Sequence, residues 1–207
     1  NIRGVTTLKR SIDYKSLKAP LPAKSIALTI VSKYGGREVT WLSDGSLVSD
    51  FDSSSQALKC ACELQQELLD RKIRLENNEW NIAFRMGLSA GQPLCDSGDL
   101  FEDTMVLARR LCSVAAPNEL IVSAGVQERC NIGEVIQNHK SVRILNARDQ
   151  DFISNLFSIS EKKLSDEYFT IDSLSRNIGV SRPQLYRKVT SLTGKSPNDF
   201  LRDLRMD

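Results

Sequence analysis

Tyr34-Gly35-Gly36-Arg37-Glu38-Val39-Thr40-Trp41-Leu42-Ser43-Asp44-Gly45, continued by Ser46-Leu47-Val48-Ser49-Asp50-Phe51, is the stretch that sets the fold class. Its Gly-Gly pair ends a helical pattern that begins at Ile26, as glycine does where a helix needs a left-handed residue to stop. Arg37 to Leu42 and Ser46 to Phe51 are strand-like, and Asp44-Gly45 between them supplies tight-turn chemistry, so the pair is predicted to form a β-hairpin. Ser53 to Ser55 offer caps for a helix whose apolar residues Ala57, Cys60, Ala61, Leu64 and Leu68 return every three or four positions. Helix, hairpin and amphipathic helix in this order predict helices packed on a sheet.

Further along, the pattern predicts a strand from Asn81 to Ser89, a Gly-bounded loop, a helix from Thr104 to Val114 and a short strand from Glu119 to Ser123. A small helix (Val126 to Cys130) and a strand (Ser141 to Leu145) follow. Residues 1 to 24 show no sustained period, and Pro20 and Pro22 interrupt any continuous helix, so a loop or an incomplete element is predicted there. The polar run Asn146 to Asp151 separates the last strand from a helical pattern of Phe152, Ile153, Leu156, Phe157 and Ile159. It marks a domain border, with residues 1–146 on one side and 147–207 on the other.

The 207 residues carry 28 basic and 26 acidic side chains and are 41% hydrophobic, which excludes disordered and collagen-like chains. No apolar run approaches the ~18 residues that span a bilayer. The N-terminus lacks a basic, then apolar, then small-residue pattern, so a cytoplasmic protein without membrane contact is expected. Five cysteines (Cys60, Cys62, Cys95, Cys112, Cys130) form no CxxC and are read as reduced core residues. A single histidine, His139, leaves zinc sites and histidine-based catalysis almost nothing to use. The near-neutral total hides an asymmetry: residues 174 to 206 hold seven basic side chains against Asp199 and Asp203. The last fifth is a basic module.

The blocks of residues 1–146 resemble, in order and spacing, the class III adenylyl and guanylyl cyclases. They are Tyr34 to Gly45, Asp50-Phe51-Asp52-Ser53, Phe84-Arg85-Met86-Gly87-Leu88-Ser89-Ala90-Gly91, and Asp99-Leu100-Phe101-Glu102-Asp103-Thr104-Met105-Val106-Leu107-Ala108-Arg109-Arg110-Leu111-Cys112. The resemblance implies an α+β fold, a ferredoxin-like or cyclase-type α/β sandwich. It implies two metal-bound carboxylates, because the attacking hydroxyl must be activated and the triphosphate charge neutralised. Asp44 matches the second carboxylate. For the first, the family has a strand reading roughly Phe-x-Asp-Ile, and the only acid upstream of the hairpin is Asp13, too near Asp44. Thr40 stands where the family has its base-selecting lysine, and Val106 where it has an asparagine that positions the nucleotide. A hydrocarbon there donates no hydrogen bond and leaves substrate poorly oriented. Arg110 aligns with the arginine that meets developing phosphate charge, and Asp99 with a base-recognising position. Two other readings stand beside these: Arg110 as a helix-surface or interface arginine, and Asp99 as a helix cap.

Residues 169 to 193 follow a second template. A helix carrying Ile171, Leu174 and Ile178 stops at Gly179, turns through Val180 and restarts at Ser181, a natural N-cap, with Pro183 in the first turn. Leu185, Val189 and Leu192 share one face, leaving Arg182, Gln184, Arg187 and Lys188 expected to point outward. Arginine and glutamine suit guanine and adenine edges in a major groove, and lysine suits phosphate. Phe169 to Leu174, Gly179 to Lys188 and Leu192 to Arg202 together resemble the first half of an AraC-type DNA-binding domain, a small all-α helix-turn-helix domain with a linker helix from Pro197 to Arg205. The resemblance implies DNA contacts from Ser181, Arg182, Gln184, Arg187 and Lys188, and a second helix-turn-helix, for which the chain leaves no residues before Asp207.

These readings combine into a bacterial transcriptional regulator that binds double-stranded DNA and keeps a catalytically degenerate cyclase-like domain for sensing or dimerisation. No catalytic residue, metal or cofactor is assigned. A degenerate nucleotide site is expected at Asp44, Asp99, Val106 and Arg110, with a small nucleotide as effector. A homodimer through the cyclase-like domain is expected, with Arg110 and residues 85–91 near its boundary. The alternatives are an active class III cyclase with an appended regulatory helix-turn-helix, and a pure interaction scaffold.

Overall fold

The computed structural model describes residues 3–11, 21–41, 46–70, 73–75, 78–80, 83–91, 99–137, 139, 141–166 and 168–206. Contacts divide the chain into two units, Asn1–Leu145 and Asn146–Asp207. In the first, the elements run β1 (Arg3–Ser11), α1 (Leu21–Lys33), β2 (Arg37–Trp41), β3 (Leu47–Phe51), α2 (Ser54–Asp70), β4 (Ile73–Leu75), β5 (Asn78–Trp80), β6 (Ala83–Gly91), α3 (Asp99–Val114), β7 (Glu119–Val122), α4 (Ala124–Gln127), α5 (Ile132–Ile136) and β8 (Val142–Ile144).

Six strands form one sheet in the order β2-β3-β1-β6-β7-β8, and β4 pairs only with β5. β1 runs antiparallel to both β3 and β6, whereas β6, β7 and β8 run parallel. Strand alternation on β3 sorts the helices onto two faces. Leu47 and Phe51 join Ala27, Ile30 and Val31 of α1 and Leu58, Ala61 and Leu64 of α2 in the main core, with Met86 and Leu88 of β6. Val48, between them, packs instead with Ala108 and Met105 of α3. β6 alternates in the same way: Gly87 faces α3, where an added Cβ would strike the Ala108 carbonyl and come within 2.5 Å of the Cys112 nitrogen. Only glycine lets the α3 backbone lie this close to the sheet.

Polar contacts tie the layers. Gln65 of α2 is 2% exposed, and its Nε2 donates to the carbonyls of Asn118 and Ser141 at 2.9 and 3.0 Å, joining the helix to the turns that precede β7 and β8. Glu63 accepts from Lys33 Nζ and from the Tyr34 hydroxyl, the latter at 2.6 Å, so the end of α1 is latched to α2. That hydrogen bond, with burial and the neighbouring charge behind it, pushes the Tyr34 hydroxyl up to about 12.

Two expectations are corrected. Residues 1–24 were expected to be a loop or an incomplete strand region, yet Arg3–Ser11 is a nine-residue strand at the middle of the sheet, and α1 starts at Leu21 rather than Ile26. A strand hydrogen-bonded on both edges takes its order from its neighbours more than from its own alternation, and Val5-Thr6-Thr7 supply β-branched residues suited to it. Pro22 falls in the first turn of α1, where a missing N–H costs nothing. The β4–β5 ribbon and α5 were not expected, because elements of three to five residues are too short to show a period.

The second unit is all helix: α6 (Ala147–Lys163), α7 (Ile171–Ile178), α8 (Arg182–Thr193) and α9 (Pro197–Met206). Phe152, Ile153, Leu156 and Phe157 of α6 are buried, as are Leu174 of α7, Leu185, Val189 and Leu192 of α8, and Phe200 of α9. Phe157 and Phe200 meet edge to face with centroids 5.1 Å apart. Among the described residues, no helix of either unit is long and apolar enough to cross a membrane.

Candidate functional site

In the first unit the sequence directs attention to α3. Asp99, Asp103, Val106 and Arg110 are spaced by four, three and four residues, so they lie along one stripe of the helix. Ala108, Leu111 and Cys112, buried, turn toward the sheet, and the Cys112 thiol donates to the Arg85 carbonyl at 3.2 Å. Val106 and Arg110 are half-buried and Asp103 is exposed. Spacing alone pointed to Asp103, the member of the stripe that the residue reading passed over. Asp44 and Asp13 lie outside the described residues, as does Cys95. Thr40 follows the irregularity in β2 where Glu38 opposes Ser49 and Thr40 opposes Val48, a place where a bulge re-aims side chains.

The carboxylates at the end of β3 are committed to Arg37. Asp50 of β3 is 5% exposed, and its two oxygens accept from Arg37 Nε and Nη2 at 3.1 and 2.9 Å, a fork that fastens β2 to β3. Arg37 also reaches Asp52 at 3.0 Å, and the two carboxylates hold its guanidinium above its ordinary range. β1 contains no Asp or Glu; its Lys9 and Arg10 stand opposite Arg85 and Phe84 of β6. Among the described residues no group of three His, Cys, Asp or Glu is arranged to hold a metal.

The second unit shows how a turn is specified residue by residue. Thr170 Oγ1 accepts from the Ser173 nitrogen at 3.2 Å and starts α7. Gly179 ends it at φ +81°, with the nitrogens of Gly179 and Val180 both donating to the Ser175 carbonyl at 3.0 Å. Ser181 then caps α8 reciprocally: the Gln184 nitrogen donates to Ser181 Oγ at 3.4 Å, and the Ser181 nitrogen donates to Gln184 Oε1 at 2.9 Å.

Around α8, Leu185, Val189 and Leu192 are buried, and the opposite face presents Pro183, Arg187, Thr190 and Ser191, all exposed. Arg187 has no hydrogen bond or ion pair among the described residues. Arg182 leans toward Asp172 (3.4 Å) and lies 6.0 Å from the Tyr186 ring, whose hydroxyl accepts from Asn198 at 3.2 Å. The expectation that Lys188 points outward is corrected: its Nζ is 2.7 Å from Asp149 of α6 and sits 5.4 Å from the Phe152 ring centre. Its place on α8, one residue past Arg187, rotates it off the exposed face onto α6. Gln184 is exposed, and its Oε1 accepts from the Ser181 nitrogen and hydroxyl in the cap, both at 2.9 Å. Thr190 and Ser191, three and four residues after Arg187, were missed although helical spacing places them on the same face.

No family model matches the chain. It is 31% identical over 118 residues to a protein of Rhizobium meliloti (strain 1021) named "Putative adenylate cyclase 3", an alignment spanning 56% of this chain and 20% of that protein. It is 29% identical over 62 residues to "Histidine kinase P4" of Formosa agariphila, spanning 30% of this chain and 4% of that one. The chain thus spans a fifth or less of the curated relatives it matches. Among solved structures it is similar to an adenylate/guanylate cyclase/hydrolase from Silicibacter pomeroyi, with TM-score 0.50, 22% identity, 68% of this chain and 83% of that one. It is also similar to adenylate cyclases from Trypanosoma brucei in their monomeric state, with TM-score 0.51, 15% identity, 66% of this chain and 79% of that one. The mixed α/β part of this chain has a nucleotide-cyclase-like fold.

Proposed function

We propose that the chain is a DNA-binding regulator in which a cyclase-fold unit has given up nucleotide turnover and serves as a sensing or pairing platform. The observation that carries the proposal is the free face of α8. A capped helix, set by a left-handed glycine turn, holds Arg187 on a solvent face with no competing partner among the described residues, flanked by the small polar side chains of Thr190 and Ser191. An arginine so placed has both edges of its guanidinium available to O6 and N7 of guanine, and short hydroxyls beside it permit close approach to a groove floor.

For the first unit, the resemblance to cyclases looks for paired divalent ions on two carboxylates. β1, beside β3 in the sheet, carries no acid, and both oxygens of Asp50 are taken by Arg37. Asp44, the carboxylate that the resemblance assigns, lies outside the described residues, and β1 supplies no acid to stand beside it. Val106 on the α3 stripe adds nothing that could orient a nucleotide by hydrogen bonding. An active cyclase is the second reading, favoured by the 31% identity to the Rhizobium meliloti protein. One assay separates them: ATP and GTP with manganese, read for cyclic product. The proposal expects none above a protein-free control, and steady product that disappears in Asp44→Ala would establish the second reading.

A further inference from the structure

The second unit holds a cleft of about 390 Å³ whose lining includes Thr170 and Asp172 at the start of α7, Arg182 at the start of α8, and Asn198, Arg202 and Arg205 along α9. Three arginines line one space against the single lining carboxylate of Asp172, in a chain of formal charge +2. Two of the three already have partners. Arg182 lies 3.4 Å from Asp172 with both side chains more than half exposed, and Arg202 pairs with Asp199 at 2.8 Å and with Asp203 at 3.8 Å. Arg205 is exposed and has no hydrogen bond or ion pair among the described residues. The amide of Asn198 donates to the Tyr186 hydroxyl at 3.2 Å, which ties the start of α9 to α8.

We infer that this cleft is a phosphate site, taking a backbone phosphodiester of the duplex whose groove α8 enters. This rests on the DNA-binding reading for its source of phosphate, though not for its chemistry. Arginines lining one cleft from two helices suit the tetrahedral oxygens of a phosphate, which accepts bidentate pairs from more than one arginine. The exposed Arg182–Asp172 pair is long and water-accessible, so its guanidinium can turn to a phosphate without breaking a buried contact. Arg187 would read bases; Arg205, with Arg182 and Arg202, would set the register of the helix on the backbone, the division of labour expected between base and phosphate contacts.

The test compares Arg205→Ala and Arg182→Ala with Arg187→Ala in the full chain, by fluorescence anisotropy on labelled duplexes from 50 to 200 mM salt. Arg205→Ala is expected to weaken every duplex by roughly three- to ten-fold and to lower the slope of log K against log salt by about one, leaving the ranking of sequences unchanged. Arg205→Lys should recover most of the slope because it restores the charge. Unchanged affinity and slope in both Arg205→Ala and Arg182→Ala, with the parent binding DNA, would overturn the cleft and leave the α8 reading standing. If the parent binds no duplex, inorganic phosphate titrated into the chain and followed at the arginine Nε–Hε signals decides it. A saturable shift at Arg182, Arg202 and Arg205 that is lost in Arg205→Ala would make the cleft a site for free phosphate compounds, and no shift would overturn it.

Discussion

Arg187 and Lys188 are neighbours in sequence and about 100° apart around α8, and that angle separates what they do. Lys188 bridges to Asp149 and lies over Phe152, so it belongs to the packing of α6 on α8. Lys188→Ala is therefore expected to lower stability by up to about 1 kcal/mol in thermal unfolding while leaving the salt slope of DNA binding unchanged. Arg187→Ala should do the reverse, with stability within about 0.5 kcal/mol of the parent and a loss of sequence preference. A lysine that moves the salt slope and not the melting temperature would reverse the assignment. The sequence told core from surface on α8, because Leu185, Val189 and Leu192 repeat at helical spacing. It could not tell which charged neighbour finds Asp149, a contact made with another helix 39 residues away. Burial pushes the thiols of Cys60 and Cys62 up to about 12, against an ordinary value of 9.0. Both thiols are then buried and held protonated at pH 8, so iodoacetamide should leave them unlabelled in the folded chain and modify them only after denaturation, as read by peptide mass spectrometry.

At the scale of elements, two glycines carry arguments that no contact made by a side chain could. Gly87 lets α3 rest on β6, and an added Cβ there meets backbone atoms that cannot yield without moving the helix. Gly87→Ala is expected to destabilise the first unit by about 1–3 kcal/mol, the usual cost of overpacking a core. Gly179→Ala meets open space but must hold φ +81°, so its cost is conformational, about 1–2 kcal/mol, and should appear in the unfolding of the helical unit. A melting temperature unchanged by either substitution would contradict the corresponding account. The hairpin of β2 and β3 and the amphipathic helices were legible because turn chemistry and period are local properties. β1 was not, since its place at the centre of the sheet comes from pairing with β3 and β6 far along the chain. The α3 stripe was legible as a row of positions but not as a site, because a row of residues does not say which carboxylates are already bound, as Asp50 is by Arg37.

At the scale of the whole molecule, the chain joins a cyclase-like fold to a helical unit with a basic face. A dimer through the first unit would present two copies of α8 to paired half-sites about one helical turn apart. Sedimentation at micromolar concentration should give a dimer; a monomer that binds single and paired half-sites equally would remove the pairing role from the first unit. Selection from a pool of random-sequence duplexes decides whether the free face of α8 reads DNA. At about 100 mM salt the parent chain is expected to enrich a defined sequence, and Arg187→Ala to lose the preference at one base pair, a discrimination worth about 1–3 kcal/mol. A pool that emerges unenriched from the parent chain, or an identical sequence enriched by Arg187→Ala, would contradict DNA reading by this face.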